Sequence, residues 1–114
     1  MDKKSEVQLF LTVFKQKMKV WDVLFLNRDK NIETLAALEI TAKFREHVLL
    51  DLSYEDYCQG PLQEAFYGSS EMWVFGKIIR NKEVYIKITL GKEGTSVICI
   101  SFHLSDYPLK YPFK

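Results

Sequence analysis

Three side chains able to act together on a phosphodiester lie in the last third of the sequence. Tyr85 and Lys87 alternate along one apolar segment, and His103 follows Ser-Phe at the end of another. Imidazole exchanges protons near neutral pH, an ammonium group stabilises phosphate charge, and a phenol donates a hydrogen bond or stacks on a base. These groups could promote attack of a ribose 2′-hydroxyl on the adjacent phosphorus, and this chemistry needs no metal ion.

The same residues also have a structural interpretation. A histidine at a strand end is more often a structural or surface residue than a catalyst, and tyrosine and lysine often alternate on a solvated sheet face. Periodicity alone favours this structural interpretation. Lys77 and Arg80 lie nearby in sequence and are further candidates for holding a phosphate.

Three strand-like segments must position these side chains. Segments 72–79, 83–90 and 96–103 are rich in β-branched and aromatic residues, and turn-forming residues separate them. They predict an antiparallel meander. Alternation assigns one face to the core, namely Val84, Ile86, Ile88 and Leu90 with Ile98, Ile100, Phe102 and Leu104. The opposite face is then expected to bring Tyr85 close to Ser101 and His103, with Lys87, Thr89 and Cys99 beside them.

Helical patterns dominate the first half of the chain. Residues 5–20 predict an amphipathic helix, residues 21–26 a short strand, and Asn31 is a plausible cap for a helix over 33–40. Thr41 begins a further helical stretch, and the pattern leaves open whether these form one bent helix or two. Ser53 to Asp56 has the outline of a capping box, which predicts a single helical turn stopping before Gly60-Pro61.

These elements predict an α+β fold with one domain over residues 1–114. Its small antiparallel sheet would combine the three-stranded C-terminal meander with a short N-terminal strand, and two or three helices would pack on one face. A chain of 114 residues with 47% hydrophobic residues can bury a core, which argues against a disordered segment.

Several classes of protein are disfavoured by the residues present. No apolar run reaches the ~18–20 residues that span a bilayer, so a cytoplasmic protein is expected. Cys58 and Cys99 form no CxxC motif and lie far apart in the sequence, which favours two free thiols over a zinc site. No phosphate-cradling loop, GxSxG or HExxH motif occurs. No cofactor or metal is therefore expected.

The formal net charge of +1 is a cancellation between regions of opposite sign. Residues 1–20 carry +3, residues 21–70 carry −5 and residues 71–114 carry +3. This distribution disfavours a protein that coats nucleic acid along its length, but it allows a local RNA-binding surface on the sheet half.

Five short runs, taken in order, resemble the MqsR family of bacterial toxins. They are Asp51–Tyr57 (DLSYEDY), Trp73–Lys77 (WVFGK), Val84–Ile88 (VYIKI), Ile100–His103 (ISFH) and Tyr107–Pro112 (YPLKYP). The resemblance covers most of the C-terminal two thirds of the chain. It implies a RelE-like fold and a ribosome-independent, metal-free mRNA endonuclease that a cognate antitoxin holds inactive. In that family the antitoxin typically joins a zinc-binding domain to a helix-turn-helix domain that binds the operon's DNA.

The resemblance also suggests residue roles. Tyr85 falls on the family's active-site tyrosine, and His103 falls where the best-known members have a lysine. The family's lysine after the Ser-x-x-Asp-x-Tyr turn is matched only by Gln59 or Cys58, and its glutamine beside the tryptophan is Val74 here. The resulting hypothesis makes His103 the acid or base and Tyr85 a positioning donor, with Lys77 and Lys87 clamping the phosphate.

Expected RNA-binding residues surround this catalytic set: Lys77, Arg80, Tyr57, Gln59, Lys110 and Tyr111. The C-terminal segment 106–114 contains two prolines and cannot be a central strand. Its aromatics could stack on unpaired bases while its lysines hold phosphates, or Tyr107, Tyr111 and Phe113 could only cover the sheet. A non-catalytic module that binds an antitoxin and regulates its operon is the alternative function.

Overall fold

The computed structural model describes residues 1–63 and 71–114 as three helices and a five-stranded sheet. The helices are α1 (Lys3–Trp21), α2 (Asp29–Leu38) and α3 (Phe44–Asp51), followed by a 3-10 turn at Tyr54–Asp56. The strands are β1 (Val23–Phe25), β2 (Tyr57–Leu62), β3 (Met72–Ile79), β4 (Lys82–Thr89) and β5 (Val97–Leu104), and their order in the sheet is β1-β5-β4-β3-β2. The predicted α+β class is confirmed.

Helix α1 covers the sheet with the apolar stripe that the sequence predicts. The Asp2 carboxylate accepts a hydrogen bond from the Ser5 amide at 2.8 Å and caps the first turn. The buried residues of the stripe are Val7, Phe10, Leu11, Phe14 and Met18. Phe10 stacks on Trp73 of β3 with ring centroids 4.9 Å apart, so α1 lies directly on the sheet.

Two separate helices follow β1, and the predicted role of Asn31 was wrong. Helix α2 begins at Asp29, so Asn31 lies inside it and is 1% exposed. The helix ends where Glu39 takes a left-handed conformation with φ 55°. Thr41 then accepts a hydrogen bond from the Phe44 amide at 3.1 Å, and α3 starts there.

The sheet has one more strand than predicted and is mixed rather than antiparallel. The helical turn ends at Asp56, and the next six residues form β2, antiparallel to β3. Gly60 and Pro61 predict a break in regular structure, but both lie in β2, which is an edge strand and therefore tolerates proline. Strand β1 pairs with β5 in parallel, with Val23 opposite Val97.

One face of the sheet, here called the helix face, forms the core with α1 and α3. It carries Trp73 and Phe75 of β3, Val84, Ile86 and Ile88 of β4, and Val97, Cys99 and Phe102 of β5. The opposite face is called the outer face. Cross-strand pairing assigns to it the row Gly76, Tyr85 and His103 and the row Val74, Lys87 and Ser101.

A bulge in β5 corrects the predicted position of Cys99. Lys87 pairs with Ser101 while Ile88 pairs with Cys99, so Ile100 is an extra residue in β5. Beyond this point the alternation reverses, and Cys99 joins the core while Ile98 does not. The prediction that Cys99 lies beside His103 was therefore wrong, whereas those for Ser101 and His103 are confirmed.

Candidate functional site

The centre of the candidate site is a stacked pair of rings on the outer face. Tyr85 of β4 lies directly opposite His103 of β5, with ring centroids 5.2 Å apart and planes inclined by 13°. Both side chains are half-buried. The predicted proximity of these two residues is confirmed. The stack holds the imidazole of β5 against the tyrosine ring of β4.

A backbone contact determines the tautomer of His103. Its Nδ1 lies 3.0 Å from the carbonyl oxygen of Leu104. A carbonyl oxygen can only accept a hydrogen bond, so Nδ1 carries the proton in the neutral ring. The unprotonated nitrogen of that tautomer is Nε2, which can take up a proton as a base and return it as an acid.

Lys87 supplies a cation in the adjacent row of the outer face. It is half-buried and pairs with Val74 on one side and Ser101 on the other. None of the ion pairs found among the described residues involves Lys87. Gln59 continues the same row on β2, opposite Val74, and is exposed. The row therefore offers an ammonium group and an amide beside the stacked rings.

Side chains of α2 bound the site at the far edge of β5. Strand β1 ends at Phe25, and Asn31 then takes its place: its amide donates to the Ile100 carbonyl at 3.0 Å and its oxygen accepts from the Phe102 amide at 2.9 Å. The Thr34 hydroxyl accepts from the Leu104 amide at 3.2 Å. A groove of about 280 Å³ between α2 and β5 is lined by Lys30, Glu33, Thr34, Ala37, His103, Leu104 and Asp106.

The C-terminal segment bounds the site on the other side. It crosses the outer face over Gly76, and a Cβ built on Gly76 would lie 2.3 Å from the Tyr111 hydroxyl and 2.7 Å from a Leu109 methyl group. Glu83 accepts hydrogen bonds from the Leu109 amide and the Tyr111 hydroxyl, both at 2.8 Å. Phe113 then packs on Tyr57 with ring centroids 5.5 Å apart. Tyr111 and Phe113 therefore cover the sheet, which is one of the two roles that the sequence predicts for the aromatic residues of this segment.

The predicted RNA-binding residues separate into two groups, since Tyr57 and Lys77 lie on the helix face. Tyr57 is 6% exposed, packs in the core and donates its hydroxyl to the Gly60 carbonyl at 2.6 Å. Lys77 forms ion pairs with Asp51 at 3.0 Å and with Asp56 at 3.1 Å. The structure therefore corrects the grouping of Lys77 with Lys87 as one phosphate clamp.

The remaining predicted residues take different positions. Arg80 occupies the β3–β4 turn with φ 50° and borders a cavity of about 590 Å³ between the α2–α3 connection and the end of β3. Phe44 and Ile78 also line that cavity, and His103 does not. Lys110 is exposed and lies between the two residues that cover Gly76. Tyr111 lies over Gly76 and is engaged by Glu83.

Two contributors to the site were missed from sequence. Gly76 lies inside a largely apolar strand, and glycine inside a strand often marks a close approach of another segment. That signal was present. The role of Glu83 had no sequence signal, because both of its partners lie more than 25 residues away, at Leu109 and Tyr111.

Both cysteines are free thiols, as predicted. Burial raises the pKa of Cys99, in the core, to about 12. Burial also raises the pKa of Cys58 to about 12, and the nearby carboxylates of Glu83 and Asp56 add to this effect. Neither thiol has the low pKa that marks a reactive nucleophile.

Residues 1–63 and 71–114 lack the features of two other kinds of site. No helix there is both long enough and apolar enough to cross a membrane. In the same described ranges, histidine, cysteine, aspartate and glutamate form no group of three that could hold a metal ion.

Comparison with known proteins does not place the chain in a family. It matches no protein-family model, no curated protein and no solved structure. The RelE-like architecture and the likeness to MqsR toxins therefore stay predictions.

Proposed function

We propose that this chain is the toxin of a type II toxin-antitoxin system, an endoribonuclease that cleaves single-stranded mRNA without a metal ion. The observation that supports it most directly is the stacked Tyr85–His103 pair with Lys87 in the next row. The five sequence runs that resemble MqsR toxins add support, and two of them supply these residues.

The residues present can supply each part of the reaction. His103 exchanges the proton at Nε2, either taking it from the ribose 2′-hydroxyl or giving it to the leaving 5′-oxygen. The 2′-oxygen then bonds to phosphorus as the bond to the 5′-oxygen breaks, which leaves a 2′,3′-cyclic phosphate and a 5′-hydroxyl. Lys87 stabilises the charge that develops on the phosphoryl oxygens, and Tyr85 donates a hydrogen bond.

The width of the site favours a single strand as substrate. The C-terminal segment covers β3 at Gly76, and α2 lines the edge of β5, so the strip that carries the half-buried Tyr85, Lys87 and His103 spans β4 and β5. Neighbouring strands lie ~4.8 Å apart, so this strip admits one nucleotide chain rather than a duplex. Lys110 borders the strip and offers a second cation to the RNA backbone.

The proposal is tested by cleavage of a synthetic RNA in the presence of a chelator. Wild type is expected to release 2′,3′-cyclic phosphate ends, and His103→Ala to lose at least about a hundred-fold in rate. His47→Ala is the matched control, because His47 is exposed on α3. Equal cleavage by wild type and His103→Ala would overturn the role of His103, and absence of cleavage by pure wild type would overturn the nuclease.

One observation keeps the non-catalytic alternative as a second candidate. The family's glutamine beside the tryptophan is replaced by Val74, which is fully buried and has no polar group to offer RNA. A toxin that has lost activity would still bind a cognate antitoxin, which the resemblance suggests has zinc-binding and helix-turn-helix domains. Expression in the bacterial cytoplasm without a partner separates the two, since only a nuclease is expected to arrest growth.

A further inference from the structure

Gly76 creates a hollow on the outer face directly beside Tyr85. The two residues are cross-strand partners on β3 and β4, and glycine leaves the sheet surface bare there. In antiparallel sheets an aromatic residue opposite a glycine tends to lie over it, because the ring gains contact with the exposed backbone. The hollow above Gly76 therefore lies on one side of Tyr85, and the imidazole of His103 lies on the other.

The hollow is filled by the C-terminal segment instead of Tyr85. The Tyr111 hydroxyl lies 2.3 Å from where a Gly76 Cβ would be, and the Leu109 methyl lies 2.7 Å from it. Tyr85 stacks on His103 on the opposite side. Two features hold the segment in place: the two hydrogen bonds to the Glu83 carboxylate and the packing of Phe113 on Tyr57.

We infer that the C-terminal segment positions the candidate site: by filling the hollow above Gly76, Leu109 and Tyr111 hold the Tyr85 ring against His103. They are positioning residues, and Glu83 orients them. The relevance of this arrangement to RNA cleavage rests on the proposed function, whereas the arrangement itself can be measured in the protein alone.

Gly76→Ala tests the inference with the amino acids of the segment and of the two rings unchanged. The new methyl group takes the space of the Tyr111 hydroxyl and the Leu109 methyl, so these two side chains must shift. The Tyr85 ring then loses the packing that is proposed to hold it against His103. Tyr111→Phe is a milder variant that keeps the ring and removes one of the two hydrogen bonds to Glu83. Tyr54→Phe is the matched control, since Tyr54 lies on the 3-10 turn with Lys4 over its ring.

The direct readout is the proton NMR signal of the imidazole. The chain contains two histidines, so the His103 signals are assigned with His103→Ala and compared with those of His47. A stacked tyrosine ring shields the protons below it, and this upfield shift is expected to disappear in Gly76→Ala and to persist in Tyr54→Phe. RNA cleavage by Gly76→Ala is expected to fall at least about ten-fold in kcat with little change in KM.

The outcomes separate the inference from the proposed function. Unchanged His103 shifts in folded Gly76→Ala would overturn the positioning role even where wild type cleaves RNA. Lost shifts in a protein that never cleaves RNA would support the positioning and reject the nuclease. Should Gly76→Ala fail to unfold cooperatively, the double variant Glu83→Gln with Tyr111→Phe replaces it, and the same two results decide.

Discussion

Asn31 shows how one buried side chain can substitute for part of a strand. Its amide donates to the carbonyls of Leu26 at 2.9 Å and Ile100 at 3.0 Å, and its oxygen accepts from the Phe102 amide at 2.9 Å. Strand β1 has only three residues, so it does not extend far enough to pair with the Ile100 carbonyl and the Phe102 amide of β5. The side chain thus satisfies buried backbone groups next to the histidine of the candidate site.

Replacing Asn31 by alanine is expected to lower the free energy of unfolding by about 3 kcal/mol. The change leaves the Phe102 amide and two carbonyls unpaired, and each buried unpaired group costs ~1–3 kcal/mol. Urea unfolding followed by circular dichroism measures the loss. Asn27→Ala, at an exposed position just before α2, serves as control and is expected to have little effect. Equal stability of the two variants would contradict this account.

Lys77 was predicted to bind RNA, but its contacts indicate a structural role. Burial lowers the pKa of Lys77, yet hydrogen bonds from its ammonium group to Asp51 and Asp56 outweigh this, and the net pKa is raised. A raised lysine pKa contributes stability that is complete below the unfolded value of about 10.4 and is lost as the pH rises through the folded value. The ion pair is therefore intact at neutral pH.

Lys77→Met is expected to lower stability while leaving RNA affinity unchanged. The cost is about 1–2 kcal/mol, below that of a fully buried pair, because the Lys77 side chain keeps 23% exposure. Affinity is measured by fluorescence polarisation with a 2′-O-methyl RNA, and stability by urea unfolding. Lys43→Met, on the exposed start of α3, is the control for lost charge. Weaker RNA binding by a stable Lys77→Met protein would refute the structural assignment.

Elements with a regular apolar pattern were predictable, and those that depend on distant partners were not. The first meander strand matches β3 at both ends, because turn residues frame its apolar run. Strand β2 was missed because Gly60 and Pro61 suggest a break, although its edge position tolerates both. The β5 bulge was missed because Ile98, Cys99 and Ile100 are all apolar, so alternation cannot reveal the change of face.

The same distinction between local pattern and distant contacts applies to the candidate site. Tyr85, Lys87 and His103 could be brought together from strand alternation alone, since the bulge lies beyond the row that joins Lys87 to Ser101. The walls of the site could not be predicted. They depend on Asn31 and Thr34 reaching β5 and on Glu83 reaching the C-terminal segment, each across more than 25 residues.

Helix α1 provides a prediction on pH dependence. The Ser5 amide donates to the Asp2 carboxylate, and this hydrogen bond lowers the pKa of Asp2. A lowered pKa contributes stability above the unfolded value of about 3.9 and loses it as the pH falls through the folded value. Asp2→Ala is therefore expected to melt below wild type at pH 7, with a difference that shrinks toward pH 2.5.

Asp2→Asn is the informative control for this cap. Asparagine accepts the same hydrogen bond but does not titrate, so its advantage over Asp2→Ala is expected to persist at low pH. Thermal unfolding of the three proteins by circular dichroism between pH 2.5 and 7 measures both differences. A wild-type advantage that stayed constant across this range would show that the carboxylate does not act through its charge.

For the molecule as a whole, the net charge of +1 predicts how RNA binding responds to salt. In the proposed complex the outer face offers Lys87 and Lys110 to the RNA, enough for about two phosphates. Single-strand binding loses affinity with a log-log slope of ~0.7 per phosphate neutralised, so a slope of about −1.4 is expected.

This slope is measured by titrating a non-cleavable RNA between about 50 and 200 mM salt. Lys87→Gln is expected to reduce its magnitude by about 0.7, while Lys19→Gln, exposed on α1, leaves it unchanged. A much steeper slope would mean that RNA contacts a broader surface than the outer face.

The pairing of β1 with β5 also has a consequence for synthesis of the protein on the ribosome. Val23 and Val97 are partners across 74 residues, and the helices emerge before the strands they cover. During translation α1 has no sheet on which to bury Phe10 and Phe14, and β1 has no neighbour. The outer face cannot form until β5 has left the exit tunnel, because β5 is the last strand of the sheet in the chain and supplies His103 and Ser101.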